Sequence, residues 1–503
     1  MNAKYKGIGG LHILNVSDRW ENKNKHKYKN KNMENNINTN TDKRFRLGQL
    51  LLVALIVIVL GLLPVFLTTV NATGVSGDRK TIPLQSIIDQ ADAGAVIHLE
   101  PGRYLGPVVI SKSLTLIGDD SVTIHNEQEQ SAISIQAEGV KLEGFTIEHN
   151  GRQPAAAVQI TGSNNEISDL KLRTKGAGLL LRDAATSVIR NNTIEWAGAS
   201  TASSSQKGNG IDLYNSHNSR VEGNQIEGVL DGIYLENSRN LAVNDNRFIQ
   251  TRYGIHCMYI DGSSVTNNTG EGNMTGAMIM GVKNTVVSGN TFRKQSSNVH
   301  SQGILLYDVH QSKIHSNTVE GNRVGMNIAE STGNEIDDNG VIRNFVGIQM
   351  VLAEGNQFTK NRFVSNVIDA STMDSKDNIL KENYWDSFQG LDLNHDGISE
   401  LSYAINPFYE QLISRNAAYQ LFFQSPGMVF LSDLHSEGKS NWTTDESPQM
   451  SIVKKHTDVA GTSGNFGTDR TNVETWSSPV MIIGLLLLGL SASTMIYMGV
   501  WRK

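Results

Sequence analysis

Through the middle of the chain, apolar residues alternate with polar ones in short runs, the period-2 pattern of half-buried strands. The runs recur at a fixed interval. Gly210 is followed by Ile-Asp-Leu, Gly232 by Ile-Tyr-Leu, Gly254 by Ile-His-Cys and Gly276 by Ala-Met-Ile. Gly303, Gly325 and Gly347 follow with Ile-Leu-Leu, Met-Asn-Ile and Ile-Gln-Met. The step is 22 residues, except 27 between Gly276 and Gly303. Upstream, Ala156 to Gly178 is 22 and Gly178 to Gly210 is 32. Eleven residues after each anchor stands an apolar residue, such as Val221, Val243 or Val265. Fourteen after stands asparagine: Asn192, Asn224, Asn246, Asn268, Asn290, Asn317, Asn339, Asn361 and Asn383.

This pattern predicts an all-β chain folded as a right-handed parallel β-helix, about twelve coils of roughly 22 residues over 107–386. Within each strand, anchor +1 and +3 point inward and +2 and +4 outward. One coil cannot bury its own inner face, so coils must stack. The asparagines are expected at turns, in left-handed geometry, with their amides bonded from coil to coil as a ladder. Residues 73–106 form the N-terminal cap, with an amphipathic helix over 81–93 that turns Leu84, Ile87 and Ile88 to one side. Residues 387–434 form a C-terminal cap and 435–479 a flexible tether.

Two segments are apolar enough to span hydrocarbon, 47–70 and 480–501. Lys43, Arg44 and Arg46 flank the first, and Arg502 and Lys503 the second, so the positive-inside rule puts both flanks in the cytoplasm. The first, with its margin to 72, reads as a signal peptide cut at the small-x-small Val70-Asn71-Ala72, or as an uncleaved anchor. Residues 1–46 read as a disordered basic region, and Met33 is an alternative start. The expected location is the cell membrane, single-pass, with the β-helix on the extracytoplasmic side. Residues 1–47 carry +7 and the last two residues +2, so a net charge of −6 leaves −15 between them. An acidic body of this kind does not bind nucleic acid. A single cysteine excludes a disulfide scaffold and a thiolate zinc cluster.

The outward positions hold the candidate chemistry. His256 and Met258 sit at +2 and +4 of one coil, and Met278 and Met280 at the same places in the next. Strand stacking brings these four together, and imidazole with thioethers suits copper, Cu(I) above all. His300, in the five-residue insertion before Gly303, is placed to fold over them. Cys257 at +3 points inward as core. The alternative is a methionine-rich contact surface for a protein. A second candidate is Asp392, Asn394, Asp396 and Glu400, alternating oxygens with Gly397 at the sixth place of a calcium-like loop. Tyr403 stands where the bidentate glutamate of that loop would be, which leaves a solvated turn as the alternative. Arg182, Asp212 and Glu236 on the outward stripe are a thin basis for binding or cleaving a polysaccharide. A structural surface protein is a third reading.

Three segments carry a family resemblance: AGAVIHLEPGRYLGPVVISKSLTLIGDD at 93–120, the train of Asn/Gly coils, and ENYWDSFQGLDLNHDGISELSYAINPFYEQLISRNAAYQLFFQSPGMVFLSDL at 382–434. Together they resemble the NosD family, β-helical maturation proteins of nitrous oxide reductase. The resemblance implies a non-enzymatic, extracytoplasmic accessory protein in copper-site assembly. Its implied partners are the ATPase and permease of an ABC transporter, a copper chaperone lipoprotein and the reductase itself. A C-terminal anchor departs from that family pattern. The topology predicts that a tag after Lys503 is protected from protease added to intact cells while the β-helix is digested; an accessible tag would reverse it.

Overall fold

The computed structural model describes residues 81–295, 300–415, 419, 422–423, 425–435 and 442–451. The expected segments 1–46, 47–72 and 480–501 lie outside these residues. Among the described residues no helix is long and apolar enough to cross a membrane.

The chain winds into a parallel β-helix of the right-handed type with about 14 turns. Three sheets of 14, 12 and 15 strands run along it. A typical coil gives Asp231–Glu236 to the 12-stranded sheet, Ala242–Asn244 to the 15-stranded one and Arg247–Ile249 to the 14-stranded one. The next coil then begins with Tyr253–Met258. The 22-residue register holds, with Ile233 paired to Ile255 and Ile255 to Ala277. Across the five-residue insertion Ala277 still pairs with Ile304, so the stack continues in register. The turns exceed the expected number because Ala95–His98 and Gly102–Leu105, expected in the N-terminal cap, already belong to the coil.

Inward residues fill one continuous core. Ile233, Leu235, Val243 and Phe248 of a single coil are fully buried. Cys257 is buried as expected, and burial pushes its thiol up. The anchors are glycine for a steric reason. A Cβ on any anchor from Gly178 to Gly347 would lie 2.3–2.6 Å from the next coil's anchor carbonyl oxygen. Asp369 takes the anchor place in the last coil, where no further anchor follows.

The asparagine ladder is present, with one correction. The left-handed residue is the one before each asparagine, for example Asp245 (φ 59°) and Asn267 (φ 57°). That turn swings the following asparagine into the interior, where Asn224, Asn246 and Asn268 are at most 1% exposed. Asn246 Oδ1 accepts from the backbone N–H and Nδ2 of Asn224 at 3.0 and 2.9 Å. Its Nδ2 donates to Val221 O and to Asn268 Oδ1 at 2.9 and 3.0 Å. Further ladders run through Asn322, Asn344 and Asn366 and through Asn334, Asn356 and Asn378.

The caps differ from expectation in extent. The N-terminal helix is shorter, Leu84–Gln90, because Thr81–Pro83 pairs as a strand with Arg103–Leu105. Leu84 and Ile88 are buried beneath it. The C-terminal cap contains helices Phe408–Arg415 and Pro426–Leu434. Thr444–Asp445, in the stretch expected to be tether, forms a strand beside Leu380 and Tyr403–Ala404. The reason is the ladder's open end. Asp445 Oδ2 accepts from the N–H and Nδ2 of Asn383 at 3.1 and 2.9 Å and from Trp385 Nε1 at 3.1 Å.

Asn246→Ala leaves the buried backbone N–H of Asn224 without its acceptor and takes one donor from the carbonyl of Val221, at about 1–3 kcal/mol in urea unfolding. Ile233→Asp, which buries an unpaired carboxylate, is expected to cost at least as much.

Candidate functional site

The 12-stranded sheet has an outward face built in rows of two. The register pairs Asp212 with Tyr234, Tyr234 with His256, His256 with Met278 and Met278 with Leu305. Beside this column runs Tyr214, Glu236, Met258, Met280 and Tyr307. The structure therefore brings His256, Met258, Met278 and Met280 together on adjacent rungs, as the spacing required. The three methionines are half-buried on this outward face.

His256 is held tightly. Its side chain is 10% exposed and its Nδ1 lies 2.9 Å from Asp231 Oδ2. Tyr234 and Tyr253 both meet it edge-on, each with ring centroids 4.9 Å away. Its Nε2 is buried and has no hydrogen-bond partner. His149 also buries an Nε2 without a partner, but its register neighbours are Asn126 and Thr174, so no soft donor stands beside it.

Asp231 and Arg252 complete the site and were not foreseen. Asp231 is fully buried. Arg252 grips it with Nε to Oδ1 at 2.8 Å and Nη2 to Oδ2 at 2.6 Å. Burial pushes the Asp231 carboxyl up, but hydrogen bonds from His256 and Arg252 more than offset this and hold it below its usual range. Strict alternation from Ile233 would point Asp231 into the core. The glycine breaks that alternation. A Cβ on Gly232 would lie 2.4 Å from Phe248 Cδ1, so residues 232 and 233 both face inward and Asp231 turns out.

Tyr234 is more engaged than an ordinary outward residue. Its hydroxyl donates to Glu236 Oε2 at 2.8 Å and lies 3.4 Å from Met258 Sδ. Burial, with the Glu236 carboxylate beside it, pushes its pKa up. The outward residues Arg182 and Asp212 are also paired. Arg182 Nη1 donates to Asp212 Oδ1 at 2.7 Å, and Asn209 Nδ2 to Asp212 Oδ2 at 2.9 Å. His300 is exposed in the turn before Gln302–His310, and residues 296–299 ahead of it are outside the described residues.

In the second candidate, Asp392 accepts from the N–H of His395 and of Gly397 at 2.6 and 2.9 Å. Asn394 and Asp396 each accept from an N–H two residues on, and Glu400 accepts from the N–H of Leu393 at 2.9 Å. Loop amides thus occupy an oxygen of every proposed ligand. Among the described residues no three His, Cys, Asp or Glu side chains are grouped to hold a metal.

The family model of NosD, described as a periplasmic copper-binding protein, matches residues 197–395. Over that segment the chain is similar to the NosD family. That segment contains all of the soft patch and, of the Asp392 loop, Asp392 and Asn394 but not Asp396 or Glu400. A protein of Pseudomonas aeruginosa described as "probable ABC transporter binding protein NosD" is 29% identical over 178 residues, 34% of this chain. The alignment spans 39% of that relative's length. Among solved structures, the A-module of mannuronan C-5 epimerase AlgE6 of Azotobacter vinelandii is 12% identical, with TM-score 0.45. It covers 58% of this chain and 93% of its own. The periplasmic alginate epimerase AlgG is also 12% identical, with TM-score 0.38, covering 59% and 82%. At these values neither likeness carries a functional argument for the NosD-family segment.

One further buried carboxyl lies at the C-terminal end. Asp369 accepts from Ser387 Oγ at 2.5 Å, and burial raises its pKa to about 6. A raised carboxyl stabilises the fold fully below its unfolded value near 4 and loses that contribution as pH rises through about 6. Asp369→Asn is therefore expected to melt higher than the parent at pH 7.5, with the gap closing as the pH falls towards 4.

Proposed function

We propose that the NosD-family coils hold copper in transit outside the cytoplasm, and that His256, Met258, Met278 and Met280 are the residues that take it. The observation that carries this reading is the donor set. A buried imidazole nitrogen without a partner stands on the same two rungs as three thioethers, in the family segment matched. Neutral sulfur and imidazole donors favour Cu(I) over Zn(II) or Ca(II). With no carboxylate among the proposed ligands and the methionines only half-buried, the site suits an ion that is received and passed on. Copper is here the cargo, and no catalytic role is proposed for the patch. Arg182 and Asp212 are bonded to each other and Glu236 to Tyr234, which weakens the polysaccharide reading.

The wider role follows the family. The chain serves assembly of the copper sites of nitrous oxide reductase, receives copper from a chaperone lipoprotein and works with an ABC transporter's ATPase and permease. The name of the Pseudomonas relative supports the transporter contact. The apolar stretch 480–501 would tether the β-helix beside such a transporter at the membrane. His300 is proposed to border the patch. The Asp392 loop is proposed as a structural turn, since backbone amides already occupy an oxygen of each candidate ligand.

The full chain is expected to bind about one Cu(I) under reducing conditions, read by competition with a colorimetric Cu(I) chelator. Changing Met278 and Met280 together to Leu keeps the bulk and removes the sulfur, and is expected to weaken binding at least about tenfold. Unchanged binding would make the patch a protein contact surface instead.

A further inference from the structure

We infer that Asp231 is the positioning residue of this patch: it fixes the His256 proton on Nδ1 and so leaves Nε2 as the bare nitrogen that a soft metal ion needs. The inference rests on the copper reading and adds a residue from outside the donor set.

The argument is one of hydrogen-bond accounting. Both Asp231 oxygens accept from Arg252, at 2.8 and 2.6 Å, so the carboxylate has no proton of its own to give. The hydrogen in its 2.9 Å contact with His256 must then come from Nδ1. Arg252 already supplies the positive charge that a buried carboxylate requires, so the imidazole need not be a cation. A neutral imidazole carries one N–H, and Nε2 is left with a lone pair. That agrees with the finding that Nε2 is buried and has no partner. Were the proton on Nε2, the molecule would bury an unmatched donor there and set two acceptors against each other at Nδ1.

The surroundings prevent the ring from turning over. Tyr234 and Tyr253 flank it at interplanar angles of 75° and 76°. Tyr253 is itself covered by Arg252, whose Cζ lies 4.6 Å from the ring centroid. Arg252 thus fixes both the carboxylate and one wall. Asp231 is unavailable as a ligand, because its oxygens are spent on Arg252 and His256. Its part is the one that outer carboxylates play behind metal-bound histidines, setting tautomer and orientation. The corner at Gly232, which turns Asp231 outward, is what makes this contact available.

The test uses the full chain labelled with ¹⁵N-histidine, first without copper. The His256 signals are assigned by their loss in His256→Gln. The parent is expected to show Nδ1 protonated and Nε2 bare. In Asp231→Asn one carboxylate oxygen becomes an NH2 group, a donor set either against Arg252 Nε or against both Arg252 Nη2 and His256 Nδ1. That variant is expected to lose the single tautomer and to bind Cu(I) on the order of ten- to a hundredfold more weakly. Met278→Leu is expected to weaken copper binding and leave the tautomer untouched. A proton on Nε2 in the parent would overturn the inference, whatever the variants do. So would an Asp231→Asn protein that keeps both tautomer and affinity. If His256→Gln and the Met278/Met280 double variant both bind Cu(I) like the parent, the copper reading fails instead. The metal-free spectra still decide whether Asp231 sets the ring.

Discussion

The bond from one coil's asparagine to the next holds the register on which everything else depends. Each amide accepts from the coil before it and donates to the coil after it, and the pairs are buried. A slip of one residue would reverse inner and outer faces along the whole strand. It would also break a buried hydrogen bond in every coil. The same register sets anchor glycine against anchor carbonyl and stacks His256 on Met278.

The candidate site has two halves of opposite character. Towards the N-terminal side stand the hard groups, Arg182 with Asp212 and Arg252 with Asp231, each charge matched by a partner. Towards the other side stand the thioethers, then Leu305 and Tyr307. His256 lies at the boundary, with Nδ1 turned to the carboxylate and Nε2 unclaimed. One ring thereby joins a rigid ionic cluster to a soft, polarisable surface.

The repeat was legible in the sequence because stacking forces every coil to solve the same steric problem. Glycine, inward apolar residues and asparagine recur at fixed offsets, so the register and the pairing of His256 with Met278 followed from counting. Asp231 was not legible. Its place depends on two successive inward residues at the Gly232 corner, a local departure from alternation that period-2 reasoning assigns to the core. The left-handed residue was misplaced by one for a related reason. Asn, Asp, Gly, Ser, Lys and Glu all occupy that position, and the conspicuous asparagine is its neighbour. The closing strand at Thr444–Asp445 lies far from the repeat, and nothing in its local composition announces the acceptor that the last asparagine needs.

That acceptor has a consequence for how such a molecule measures length. The ladder runs in one direction, and any coil ending in asparagine invites another. Asp445 offers Asn383 and Trp385 only lone pairs and carries the chain no further. Termination is thus chemical and independent of how many coils precede it. Whole coils could be gained or lost without disturbing either end, each moving the His256 row by about 4.8 Å relative to the terminus. Five coil steps separate Gly254 from Asp369, about 24 Å of fixed spacing. The solenoid therefore acts as a ruler graduated in coils, and its count decides how far from its closed end the soft face is presented.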